Sequence, residues 1–151
     1  MSDIMWHHEG FTISTDNLKL QLNRIHDYLS NKSYWAENRP FEIVEKSIRN
    51  SLCFGVFTCN EQIGFARVVT DYSTFAWLCD VFILEDYRGQ GIGKWLVECV
   101  VNHPELNRVK CILLASRNAH ELYRKYGGFT ELSSPQRWME RRRSGPPPPT
   151  Y

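Results

Sequence analysis

Three glycines at alternate positions, Gly89, Gly91 and Gly93, separate an apolar run, Val81-Phe82-Ile83-Leu84, from an amphipathic one holding Trp95, Leu96, Val97, Cys99, Val100 and Val101. A strand that breaks at such a turn and at once becomes a helix leaves several backbone N–H groups unpaired. They all point one way, at the positive end of the helix dipole. The turn is therefore a cradle for an anion. A Cβ at any of these positions would hold a phosphate off the amides, and glycine also permits φ above zero. Arg88 and Lys94 add fixed positive charge at the two ends of the turn, and an arginine can hold a phosphate through two parallel hydrogen bonds.

The spacing excludes two common nucleotide loops. A Walker-type loop needs a glycine five positions before Gly93 and Ser or Thr after Lys94, where this chain has Arg88 and Trp95. A dinucleotide fingerprint needs its third glycine three positions after the second, and that position is Lys94. The remaining pattern, Arg-Gly-x-Gly-x-Gly between a strand and a helix, resembles the pyrophosphate loop of the GNAT superfamily of N-acetyltransferases. The preceding Asp80-Val81-Phe82-Ile83-Leu84-Glu85-Asp86-Tyr87 is similar to that superfamily's strand and acidic turn. The resemblance implies acetyl-CoA as acetyl donor, held by Arg88, Gly89, Gln90, Gly91, Ile92, Gly93 and Lys94. The plain alternative is an ordinary tight connection, which needs one glycine rather than three.

At 151 residues the chain is one domain and too short for two. An apolar content of 42% is globular, and a net charge of +1 argues against a general nucleic-acid binder. The N-terminus carries Asp3, His7, His8 and Glu9 where a signal peptide needs an apolar block, and no run has membrane-spanning length, so a cytoplasmic protein without a membrane partner is expected. The five cysteines include no Cys-x-x-Cys pair and read as small buried hydrophobes. No His or Cys pair has metal-ligand spacing, so no metal is expected.

Hydrophobic periodicity orders the elements. A strand is predicted over 11–14, a helix from Leu18 with Leu22, Ile25, Tyr28 and Leu29 on its apolar face, and a second helix with Phe41, Val44, Ile48 and Leu52 on one face. The period then changes to two, giving strands over 54–58, 63–70 and 75–83. A helix over 92–102 follows, then a nearly continuous apolar strand over 109–115 of the kind that lies inside a parallel sheet, and a helix over 118–126. Two last strands are predicted over 129–132 and 137–140. The class is α+β with a mixed central sheet flanked by helices, which matches the GNAT fold element for element over residues 1–140. The remainder, 141–151, is rich in Arg and Pro and is expected to be an extended, disordered tail.

A second segment, Asn118-Ala119-His120-Glu121-Leu122-Tyr123, is similar to the Ala-His-x-Leu-Tyr form of small bacterial members of the superfamily. The match departs in the doubled glycine, Gly127-Gly128, ahead of Phe129. The resemblance implies a transfer in which the amine attacks directly within a ternary complex. Backbone amides near Phe82 and Ile83 would take the pantetheine arm, Asn118 would touch the same cofactor or serve as a helix N-cap, and Tyr123 would be the general acid. A phenol with a pKa near 10 is protonated at neutral pH and can protonate a leaving thiolate. Asp80, an acid in the middle of an apolar strand, is either a catalytic or substrate-binding carboxylate or one half of a structural ion pair.

The acceptor is expected to be a small-molecule or peptide amine, bound against the loop between the first two helices. There Arg39 is placed to bind an acceptor carboxylate, and Trp35 with Trp77 to wall an apolar pocket, unless both tryptophans fill the core. Two other readings stay open: a module that binds acyl-CoA as a sensor or a protein partner without catalysis, and transfer of a longer acyl chain. A monomer or a homodimer is compatible with all of them.

Overall fold

A computed structural model of the chain describes residues 1–145; residues 146–151 of the expected disordered tail lie outside it. Six strands form one sheet in chain order: β1 (Met5–His8), β2 (Phe11–Ser14), β3 (Leu52–Thr58), β4 (Glu61–Thr70), β5 (Ala76–Ile83) and β6 (Ile112–Leu114). The first five pair antiparallel, and β6 joins β5 parallel. Helices α1 (Leu22–Lys32) and α2 (Phe41–Arg49) connect β2 to β3, α3 (Ile92–Val101) makes the crossover from β5 to β6, and α4 (His120–Gly127) follows β6. This is the α+β class with a mixed sheet that the periodicity indicates.

Alternation along the strands divides the core in two. Ile13, Phe54, Val56, Ile63, Ala66, Val68, Ala76 and Leu78 pack with Leu96, Val97 and Val100 of α3 and Tyr123 of α4. Cys53, Phe65 and Phe82 point the other way, onto Ile25, Tyr28 and Leu29 of α1 and Val44 and Ile48 of α2. Each face of the sheet thus carries one helix pair, and both ends of the β5–α3 connection are anchored in these clusters.

Several predicted elements are corrected. The polar segment Met-Trp-His-His forms β1, a short edge strand whose hairpin with β2 the sequence did not suggest. Leu18 is 95% exposed in a short 3-10 turn (Asn17–Lys19), because Asp16 caps that turn through the Leu18 N–H and the α-helix starts only at Leu22. Leu52 belongs to β3 and not to the face of α2. The strand over 109–115 shrinks to three half-buried residues bonded on one side only, so its apolar run marks a covered edge and not a central strand. No strand forms over 129–132 or 137–140: Gly128, left-handed at φ 70°, closes α4, and a 3-10 turn at Pro135–Arg137 occupies part of the remainder. Among the described residues no helix is long and apolar enough to cross a membrane.

One buried group makes the fold sensitive to acid. His103 is fully buried against Trp6 and Phe54. Its Nδ1 accepts the Glu105 N–H at 3.2 Å, which leaves the proton on Nε2, and that atom has no hydrogen-bond partner among the described residues. Burial lowers its pKa, so the folded chain holds it neutral while the unfolded chain takes up a proton below about pH 6.5. The associated stability is complete above that pH and is lost as the pH falls, by at most about 1.4 kcal/mol per pH unit. Thermal melts are expected to drop between about pH 7 and pH 5. His103→Phe should flatten this limb, at a cost of about 1 kcal/mol for the lost cap bond.

Candidate active site

β5 ends in a 3-10 turn at Glu85–Tyr87 and enters the glycine loop. Gly89 and Gly91 are left-handed, at φ 81° and 83°, a region closed to most side chains. Gly91 is the N-cap of α3 and no side chain caps it. The first helical bond there runs from the Trp95 N–H to the Gly91 carbonyl at 3.2 Å, so the N–H groups of Ile92, Gly93 and Lys94 lie ahead of it. Ile92 itself is buried in the core and fixes the start of the helix.

Gly93 differs from its two neighbours. Its φ is ordinary, and a Cβ added there would meet nothing within 4 Å. Glycine within a helix is less favourable than alanine by up to about 1 kcal/mol, and nothing in the chain's own packing calls for it here. The space beside it is open, at the uncapped start of α3. Such a site fits a diphosphate.

The charged ends of the loop are partly engaged. Arg88 donates through Nε to the Ile83 carbonyl at 2.9 Å and through Nη2 to the Tyr28 hydroxyl at 2.8 Å, tying the loop to β5 and α1. Its Nη1 has no acceptor among the described residues. Lys94 lies over the Tyr126 ring with Nζ 5.2 Å from the centroid, and the Gln90 side chain folds back to the Tyr87 carbonyl at 3.4 Å.

Next to the cradle the sheet opens. β5 and β6 pair only from Ala76↔Ile112 to Leu78↔Leu114, so the stretch of β5 from Cys79 to Ile83 has no strand on that edge among the described residues. The Leu84 N–H donates to Ile63 on the β4 side at 2.8 Å. Alternation then turns the N–H groups of Ile83 and Val81 away from β4 and toward the opening, while that of Phe82 faces β4. The Phe82 ring stacks on Tyr28 with centroids 4.0 Å apart. The register slips here: Phe65 faces Phe82 and Arg67 faces Cys79, so Asp80 and Val81 together oppose the single Ala66. This is a β-bulge, and Asp80 within it is left-handed at φ 53°.

Three donors hold that carboxylate. Asp80 Oδ2 accepts from Arg67 Nε and Arg39 Nη1, each at 2.9 Å, and Oδ1 accepts from Trp35 Nε1 at 2.8 Å. Of the uses left open for Asp80, the ion pair is the one present in the geometry. Its side chain is 1% exposed, and breaking a pair so buried costs about 3–5 kcal/mol. Asp80→Asn is therefore expected to lower the unfolding free energy by roughly 3 kcal/mol in urea titrations and to release the loop bearing Trp35 and Arg39. Arg67 escapes attention in the sequence, although an arginine midway along one apolar strand and an acid midway along the next are the available signal. Beside the cluster, burial pushes the Cys79 and Cys53 thiols up to about 12, so neither is a ready nucleophile.

On the other side of the opening, Tyr123 of α4 is buried, with its ring edge-on to Phe129. Burial, with the nearby Tyr34 phenol adding to it, pushes its pKa up to about 12. It lines a cleft of about 150 Å³ with Ile112, Leu114, His120 and Phe129. The loops on the two sides are joined, since the Arg117 N–H donates to the Tyr34 hydroxyl at 3.0 Å and its guanidinium lies 3.7 Å from that ring's centre. Asn118 is exposed and precedes the N-cap, Ala119, so it does not cap α4. Trp77 is 41% exposed on the α1/α2 face of β5, apart from Trp35. A larger cleft of about 320 Å³, lined by Asp3, Asp16, Ser51, Cys53 and Tyr72, contains neither the glycine cradle nor Tyr123. Among the described residues no cluster of His, Cys, Asp or Glu is arranged to hold a metal.

Comparison with known proteins agrees with this geometry. A family model described as the acetyltransferase (GNAT) domain matches residues 49–130, which include the bulge, the cradle and α4. A Gibberella zeae protein named as an acetyltransferase is 30% identical over 159 residues, covering 85% of this chain and 89% of its own. The crystal structure of a GNAT-family protein from Xanthomonas campestris pv. campestris superposes with a TM-score of 0.86 at 43% identity, over 90% of this chain and 95% of that one. A GNAT-family acetyltransferase from Elizabethkingia anophelis, solved with acetyl-CoA bound, shares the fold at 19% identity and a TM-score of 0.59, covering 79% of this chain and 76% of its own.

Proposed function

The chain belongs to the GNAT acetyltransferase family, and from that footing we propose that it carries the acetyl group of acetyl-CoA to a primary amine that attacks directly while both substrates are bound. The observation that carries the reading is Gly93, a glycine of ordinary φ at the uncapped start of α3, where the chain's own packing leaves room for a side chain. The acetyl-CoA found in the Elizabethkingia anophelis protein supports the choice of donor.

The roles follow from what the chemistry demands. Acetyl-CoA supplies a thioester whose C–S bond breaks as the amine's N–C bond forms, with one proton leaving nitrogen and one reaching sulfur. The amides of Ile92, Gly93 and Lys94 take the diphosphate, with Arg88 Nη1 at the edge. The outward N–H groups of Val81 and Ile83 continue β5 for the pantetheine arm, and one of them faces the carbonyl oxygen as it becomes negative. Tyr123 donates the proton that sulfur needs. Asp80, with both oxygens occupied, is a positioning residue: it holds the bulge, and it holds Trp35 and Arg39 at the acceptor side.

The test is thiol release. Incubation with acetyl-CoA and a broad panel of primary amines should yield free CoA in proportion to acetylated amine. Tight binding of acetyl-CoA with no thiol released by any amine would overturn the proposal.

A further inference from the structure

We propose that the acceptor amine also carries a carboxylate, bound by Arg67 and Arg39, with an aromatic or aliphatic side chain beside it. This rests on the transferase reading and specifies its second substrate. The cluster at Asp80 contains two guanidinium groups and one carboxylate, a surplus of one positive charge. Both carboxylate oxygens are already accepting. Arg67 spends Nε on Asp80 and Nη1 on the Ser51 hydroxyl at 3.1 Å, and Arg39 spends Nη1 on Asp80. Neither Nη2 has an acceptor among the described residues.

The Arg67 side chain is 10% exposed and that of Arg39 23%, and neither Nη2 is sealed away from solvent, so an incoming anion can reach both. A partly screened cation with free donors gains from a second anion, and no hydrogen bond within the described residues brings one. The other polar neighbours cannot supply it. The Cys53 and Cys79 thiols are neutral, Ser51 has no charge, and the Trp35 ring N–H only donates.

Position gives the anion a reason to belong to the acceptor. Asp80 lies two residues past the last β5–β6 pair, where the opening begins, so a group against Arg39 and Arg67 sits at the mouth of the site. An α-amino acid separates its carboxylate from its amine by a single carbon, short enough to leave the nitrogen in the opening. Val69, Phe75 and Trp77 lie at alternate positions on the same face as Arg67, with Val69 directly opposite Trp77. They are 37%, 38% and 41% exposed and form an apolar wall roughly one pair of residues, about 7 Å, from the guanidinium groups. Charge at one end and exposed aromatic surface at the other match an amino acid with an apolar side chain.

Binding of the products tests this independently of catalysis. Calorimetry on the CoA-loaded protein would compare N-acetyl-leucine, N-acetyl-phenylalanine and N-acetyl-tryptophan, each against its own amide, alongside thiol release with the corresponding free amino acids and amides. At least one acid should bind ten times tighter than its amide or more. Arg39→Gln should erase the difference, and Arg39→Lys should retain part of it. Equal binding of acid and amide in all three pairs, or preference for the amides, overturns the proposal even if amines are acetylated. A clear preference for the acids with no thiol release would keep the anion site and remove the transferase reading instead.

Discussion

Gly93→Val is expected to weaken CoA binding at least a hundredfold while leaving the fold intact. The residue has an ordinary helical φ and open space where the Cβ would go, so the substitution meets no clash and no forbidden backbone. Valine is also a better helix former than glycine, and the melting temperature should hold or rise slightly. The loss falls on the ligand. Branched carbons in front of the amides of Ile92, Gly93 and Lys94 deny them two or more charge-assisted hydrogen bonds, each contributing about 1.5–3 kcal/mol. The sum is about 3 kcal/mol or more, which corresponds to roughly a hundredfold in Kd. Gly91→Val would be a poorer test, because φ at 83° strains any side chain and could weaken binding through the backbone alone. If calorimetry gives the Gly93→Val protein the same CoA affinity as the parent, no diphosphate occupies this cradle.

The same residue shows what a sequence reveals and what it hides. The alternate glycines, the apolar strand before them and the amphipathic helix after them are local patterns, and the structure has all three where the periodicity placed them. The helices and strands from Leu22 to Val101, and α4, follow for the same reason, since each buries a stripe or a face that its own composition defines. The errors concentrate where tertiary partners decide. β1 carries two histidines and is a strand only because β2 pairs with it. The apolar run before α4 is cut to three residues because β5 departs at its bulge and offers no further partner. The segment after Gly128 alternates like a strand and lies beside β6, but it does not pair with it. At the site, Asp80 is conspicuous as an acid among apolar residues, yet the pairing that occupies it depends on register: only the slip opposite Ala66 brings Arg67 to its carboxylate. Arg39 and Trp35, thirteen residues or more from either strand, reach the same atom through a loop whose path no periodicity describes.

Tyr123→Phe should lower kcat by about a hundredfold to a thousandfold, with CoA affinity and stability nearly unchanged. Only the hydroxyl is removed; the ring keeps its place in the core and its edge contact with Phe129. With its pKa pushed up to about 12, the phenol stays protonated throughout the working range, so it is a proton donor and never the base that takes the amine's proton. Complete transfer to a thiolate with a pKa of about 8.5 would be uphill by roughly 3.5 units, or about 5 kcal/mol. That is well below the barrier of an enzyme turning over about once per second, but it means the proton moves as the C–S bond breaks and not before. The pH dependence follows in sign. Rates should rise with pH as more of the amine becomes neutral, and the donor should cause no alkaline decline until the pH approaches about 12. Tyr123→Phe should lower this curve without changing its shape. An alkaline limb near pH 9 that vanishes in Tyr123→Phe would mean the phenol is far more acidic than its burial allows, and an unchanged kcat would assign the proton to water.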